Sequence, residues 1–149
     1  MKFIFSGGGT GGHIYPAITL IESIKEKCPD AQILYVGTKK GLEADIVPKA
    51  DIPFQTIDIE GFARKITLKN LVVLGKASAG LIKARSIIKD FKPDAVIGTG
   101  GYVSGPLLLM AAIMNIPTLI QDQNAIPGIT NKILSKFVTK ITCGYESAC

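Results

Sequence analysis

Residues 7–12 read Gly7-Gly8-Gly9-Thr10-Gly11-Gly12 and lead straight into His13, the only histidine of the chain. Glycines let a backbone come close to a ligand, and successive N–H groups ahead of a helix favour a phosphate. Imidazole titrates near neutrality, so His13 has two readings here: general base for a hydroxyl, or cap or phosphate contact without proton transfer. A second glycine loop, Gly98-Thr99-Gly100-Gly101-Tyr102-Val103-Ser104-Gly105, adds a stacking face at Tyr102 and a hydroxyl at Ser104. A third loop, Gln121-Asp122-Gln123-Asn124, carries Asn124, whose amide offers a donor and an acceptor to sugar hydroxyls, and Asp122, a second candidate base or a cap. The spacing in residues 7–12 also fits a dinucleotide loop. The second predicted strand, however, ends Val36-Gly37-Thr38-Lys39-Lys40, with no acid before Glu43 to hold a ribose. NAD is disfavoured, and NADP stays as a weaker alternative because Lys39 and Lys40 suit a 2′-phosphate. Two facing glycine loops point instead to a diphosphate or a sugar diphosphate.

The elements that position these loops are legible from apolar runs. Candidate strands are Lys2–Ser6, Gln32–Val36, Phe54–Ile59, Ala95–Gly98, Thr118–Ile120 and Lys140–Cys143. They are short and nearly continuous in apolar residues, as strands buried on both faces are. Helical patterns lie between them near 16–27, 41–49, 67–91, 106–114 and 127–136, with Pro48 ending or kinking the second. Each of the three loops follows a strand and precedes a proline (Pro16, Pro106, Pro127) placed to suit a first helical turn. The alternation predicts right-handed βαβ crossovers and a Rossmann-like parallel α/β sheet with helices on both faces. In such a sheet all three loops share the carboxyl edge, where ligands bind.

The net charge of +5 is unevenly spread. Residues 61–93 hold 8 basic side chains and one acid, whereas residues 1–60 hold 6 basic and 8 acidic. On a helix through that segment Leu74, Ala77, Leu81, Ala84, Ile88 and Phe91 form a core stripe. Lys69, Lys76 and Lys83 step by seven along a line roughly 140° away, with Val72, Val73 and Ile87 within roughly 60° of it. A face mixing lysine with valine and isoleucine fits an anionic membrane surface; a plain solvated face is the competing reading. Gly75 and Gly80 interrupt the pattern. Nucleic acid is disfavoured, since aromatic interleaving is sparse and no known module appears. Three cysteines, Cys28, Cys143 and Cys149, have no metal-ligand spacing and predict neither a disulfide framework nor a zinc site. No cleavable signal and no membrane-length apolar run are visible, so a cytosolic protein, touching a surface at most, is the default.

The stretches Gly8-Gly9-Thr10-Gly11-Gly12-His13-Ile14-Tyr15-Pro16-Ala17, Gly98-Thr99-Gly100-Gly101-Tyr102-Val103-Ser104-Gly105-Pro106 and Gln123-Asn124-Ala125-Ile126-Pro127-Gly128-Ile129-Thr130-Asn131 resemble the family of peptidoglycan N-acetylglucosaminyltransferases (MurG). Val36-Gly37-Thr38 with Gly41-Leu42-Glu43 is similar to that family's second strand and loop. The likeness implies the amino-terminal half of a GT-B glycosyltransferase. It implies transfer of N-acetylglucosamine from UDP-N-acetylglucosamine to N-acetylmuramyl-pentapeptide on undecaprenyl diphosphate, by an inverting reaction needing neither metal nor cofactor, at the cytoplasmic face of the membrane. His13 maps as base or diphosphate partner, Thr10, Gly11, Gly12 and Asn124 as donor contacts. Gly100, Gly101, Tyr102 and Ser104 join them as substrate-binding candidates. Family members run to about twice this length, so residues 1–149 read as the acceptor-side domain, without a carboxyl-terminal donor domain and inactive alone. The alternative is a non-catalytic acceptor-binding and membrane-anchoring subunit of a split enzyme. Gln121-Asp122 stands where the family commonly has His-Glu, which weakens Asp122 as a base.

Overall fold

The computed structural model describes residues 1–59 and 69–146, with the backbone alone for residues 69–77. In chain order the elements are β1 (Lys2–Gly7), α1 (Gly11–Lys27), β2 (Gln32–Gly37), α2 (Glu43–Lys49), β3 (Phe54–Thr56), α3 (Lys69–Phe91), β4 (Ala95–Gly100), α4 (Ser104–Ile113), β5 (Thr118–Asp122), α5 (Ile129–Leu134) and β6 (Lys140–Cys143). The strands form one sheet in the order β3-β2-β1-β4-β5-β6, every pair parallel. This is the doubly wound Rossmann-like arrangement.

The continuous apolar runs split residue by residue between the two faces, as strand geometry requires. Ile4, Val36 and Val96 join Ile57, Ala84, Ile88, Leu107 and Leu108 on the side covered by α3 and α4. Their neighbours Phe5, Tyr35 and Ile97 join Ile14, Ala17, Ile21 and Val47 on the side covered by α1 and α2.

Several boundaries differ from the sequence reading. Strand β3 ends at Thr56, although Ile57 and Ile59 stay buried beyond it. Pro106 does lie in the first turn of α4, but Pro16 lies well inside α1 and Pro127 lies two residues ahead of α5, before its N-cap Gly128. Helix α1 begins at Gly11, so the second half of the first loop is already helical: the His13 and Ile14 N–H groups donate to the Thr10 carbonyl. Pro48 is the penultimate residue of α2.

In α3, Ala84 and Ile88 are buried as the stripe predicts. Ile87, placed beside the lysine line, is buried as well, at 3% exposure; Ile82 is the exposed isoleucine, at 72%. The helix is covered over a wider arc than a 3-4 stripe, because it lies against both the sheet and α4. Gly80 does not break the helix; it is buried, and a Cβ there would strike Ile59 and touch Pro106 at 3.8 Å. Lys83 is exposed, whereas the side chains of Lys69, Val72, Val73 and Lys76 lie outside the described residues. Cys28 is exposed and free, but Cys143 is disulfide-bonded, one bond where the sequence predicts no disulfide framework. Among the described residues no helix is long and apolar enough to cross a membrane, and no cluster of three metal-ligating side chains occurs.

Candidate functional site

The sheet order reverses between β1 and β4, and β5 lies next to β4. The three loops that follow these strands are therefore neighbours at the carboxyl edge, at the switch point where open α/β sheets bind ligands. The first two touch through backbone. After Ser6 pairs with Gly98 the register slips, Gly7 pairs with Gly100, and the Gly8 N–H donates to the Gly100 carbonyl at 3.2 Å. Gly101, at φ +83°, has no room for a Cβ, which would strike the Gly8 carbonyl oxygen. Gly100, at φ +113°, has its open side filled by the imidazole: a Cβ there would lie 2.5 Å from His13 Nδ1. Both positions need glycine for conformation and for space.

His13 is half-buried in the first turn of α1. Its Nδ1 lies 3.0 Å from the Thr99 carbonyl oxygen, and the Thr99 hydroxyl donates to the His13 carbonyl at 2.6 Å. A carbonyl only accepts, so this contact is a hydrogen bond only in the Nδ1–H tautomer, the one in which Nε2 is the basic nitrogen. Nε2 makes no hydrogen bond among the described residues. The Gln123 amide nitrogen also lies 3.0 Å from Nδ1 and donates to the Gly12 carbonyl. Pro16 explains the second contact. It has no N–H for the carbonyl four residues earlier, so Gly12 is left with an unpaired acceptor.

Beneath the first loop lies a carboxylate from the Gly41-Leu42-Glu43 loop after the second strand. Glu43 is fully buried; its Oε2 accepts from the Gly9 N–H at 3.1 Å, and its Oε1 from the Thr38 N–H at 3.0 Å and hydroxyl at 2.8 Å. Gly8, Gly37 and Gly41 crowd around it, a Cβ at Gly8 falling 2.6 Å from its carboxyl carbon. Beside it the buried Tyr35 hydroxyl donates to the Gly7 carbonyl at 2.7 Å. Burial, and then the charge of Glu43, push the Tyr35 phenol well above its ordinary value of 10.0, so it stays a donor.

The other expected residues divide into two groups. Thr10 is exposed at the start of α1 and makes no capping bond, and Gly11 and Gly12 follow it in the first turn, where helix N–H groups lack intrahelical partners. Tyr102 is 39% exposed and leans toward Gly9. Asn124 is exposed but tethered, its N–H and its amide both donating to Asp122 Oδ1 at 3.0 Å. Ser104 turns inward: fully buried, it donates to the Gly101 carbonyl at 2.8 Å and braces the loop. Asp122 is a poor base. It is 2% exposed and also accepts from Asn131 at 2.8 Å. Burial works to raise its pKa from 3.8, but the hydrogen bonds from Asn131, Asn124 and Gly128 outweigh burial and hold it lower.

Glu43 and Gln123 stand in the motif stretches of the sequence, but neither is among the expected site residues. A signal for Glu43 was present, an acid flanked by Gly37 and Gly41 after a strand. None existed for Gln123, whose role depends on a carbonyl freed by a proline more than a hundred residues away.

Residues 3–143 match the glycosyltransferase family 28 N-terminal domain. The chain belongs to this family. Among curated relatives of the family 28 domain, the UDP-N-acetylglucosamine–N-acetylmuramyl-(pentapeptide) pyrophosphoryl-undecaprenol N-acetylglucosamine transferase of Pediococcus pentosaceus is 54% identical over 148 residues, which is 99% of this chain and 41% of that protein. The transferase of the same name from Desulforamulus reducens is 56% identical, covering 99% of this chain and 40% of that protein. The crystal structure of Acinetobacter baumannii MurG superposes with a TM-score of 0.87 at 31% identity, over 99% of this chain and 43% of that one. This family 28 domain thus spans about two fifths of the length of the relatives it matches.

Proposed function

We propose that this family 28 domain is the acceptor side of a GT-B enzyme that moves N-acetylglucosamine from UDP-N-acetylglucosamine to N-acetylmuramyl-pentapeptide on undecaprenyl diphosphate, in peptidoglycan synthesis. The activity named for relatives more than half identical over nearly the whole chain supports it. The observation that carries the chemistry is the His13 ring, packed on Gly100 and bonded to Thr99 where the two glycine loops meet.

In this reading the two glycine loops hold the acceptor diphosphate and part of the donor through backbone N–H groups, with Gly11 and Gly12 on the donor side at the start of α1, where the helix dipole favours negative charge. Thr10 and Asn124 contact the donor sugar, and Tyr102 and Gly101 wall the cleft. His13 Nε2 takes the proton of the acceptor hydroxyl as its oxygen bonds to the anomeric carbon. The bond from that carbon to UDP breaks with its electron pair leaving on the diphosphate, which inverts the centre. In this reading most donor contacts lie outside residues 1–149, so these residues alone should give no transfer. In a protein of the relatives' length carrying this domain, His13→Ala should lower kcat by about 10²–10⁴-fold; unchanged turnover would remove His13 from the chemistry.

A second reading, a non-catalytic acceptor-binding and anchoring subunit, is supported by the same phosphate-facing start of α1 and by the basic segment. Transfer by residues 1–149 that appears only when a separate donor-binding chain is added would select it. Under either reading the protein works at the cytoplasmic face of the membrane as a peripheral component, supported by the basic excess of residues 61–93.

A further inference from the structure

The Thr99 carbonyl and the Gln123 amide make opposite demands on His13 Nδ1, each from 3.0 Å. The carbonyl needs a proton there. The amide nitrogen needs a lone pair, if it is to donate. Rotating the Gln123 amide does not resolve the conflict, because its oxygen would then face the Gly12 carbonyl, which Pro16 leaves without a helical donor. The amide nitrogen is thus pinned toward the ring, and Gln123 Oε1 is left buried with no partner. A buried acceptor without a donor marks an arrangement that a small rearrangement of the loop relieves.

We propose that Gln123 is a positioning residue that sets the tautomer of His13. With Gln123 docked, its N–H occupies Nδ1, the ring proton sits on Nε2, and Nε2 is not a base. When the third loop shifts, Nδ1–H turns to the Thr99 carbonyl and Nε2 becomes the acceptor of a proton. Contact of a sugar with the adjacent Asn124 is a natural cause of that shift. The catalytic meaning of this coupling rests on His13 being the base; the coupling itself does not.

His13 is the only histidine, so ¹⁵N imidazole spectra of residues 1–149 carry a single ring. At a pH where the ring is neutral, the wild-type chain should be mainly the Nε2–H tautomer. Gln123→Leu should lower the ratio of Nε2–H to Nδ1–H by roughly fivefold, the worth of one ordinary hydrogen bond. Pro16→Ala should move it the same way with Gln123 intact, because the new N–H satisfies Gly12 and unpins the amide. Backbone amide spectra report whether each variant folds, and Gln123→Glu, which cannot donate to Nδ1, provides a second test in the same direction. A wild-type ring already held as Nδ1–H, or a ratio unmoved in folded Gln123→Leu and Gln123→Glu, overturns the proposal. A tautomer that shifts as stated beside a His13→Ala enzyme with full turnover would overturn the base assignment and leave the coupling standing.

Discussion

At the scale of single residues, the first loop is held from below by one acid. Glu43 accepts three hydrogen bonds in a fully buried place. Glu43→Gln keeps the shape but turns an NH₂ toward donors, and should cost about 1–3 kcal/mol in chemical denaturation, the range for a buried polar group left unsatisfied. Asp122 gives a pH signature. Its folded pKa is depressed below 3.8, so its contribution is present above that value and is lost as pH falls below it toward the folded value. Stability measured from about pH 5 downward should therefore fall less steeply in Asp122→Asn than in wild type. Tyr35 acts at the other end. Its folded pKa is raised above 10.0, so its contribution is present below pH 10 and is lost as pH rises beyond it. Tyr35→Phe should cost about 1 kcal/mol near neutrality and flatten the alkaline limb.

At the scale of elements, the sequence disclosed the sheet because buried parallel strands read as uninterrupted apolar runs, and the order of runs and loops puts the three loops at one edge. It misplaced the start of α1 because glycine and an interior proline argue against a helix. The tertiary contact from Gln123 to the Gly12 carbonyl offsets part of that cost. It also misjudged one side of α3, since a 3-4 projection assumes a narrow contact and this helix is covered by both sheet and α4. The register of α3 is testable: Ile87→Ala should cost about 2–5 kcal/mol in urea unfolding, whereas Ile82→Lys should stay within about 0.5 kcal/mol. Equal costs would mean that the helix is rotated from its described position. In the site, loop placement was legible, but the inward turn of Ser104 and the burial of Asp122 depend on packing that local spacing does not encode.

At the scale of the whole molecule, charge and site are separate features of the chain: the basic excess lies in residues 61–93, between the first loop and the second. If that segment meets an anionic bilayer, vesicle binding should weaken steeply as salt rises past the point where the screening length drops below roughly 10 Å. Replacing Lys69, Lys76 and Lys83 together by Gln should remove most of it; unchanged binding would reject that face. The contact between the first two loops has a different consequence. The crevice is shaped by side chains that are missing, with Gly8, Gly100 and Gly101 packed backbone to backbone or against the imidazole. Alanine scanning ordinarily subtracts atoms and finds what a contact was worth. Along these loops it adds a methyl group where there is no space, so its most damaging hits would mark positions that contribute no side chain to any ligand.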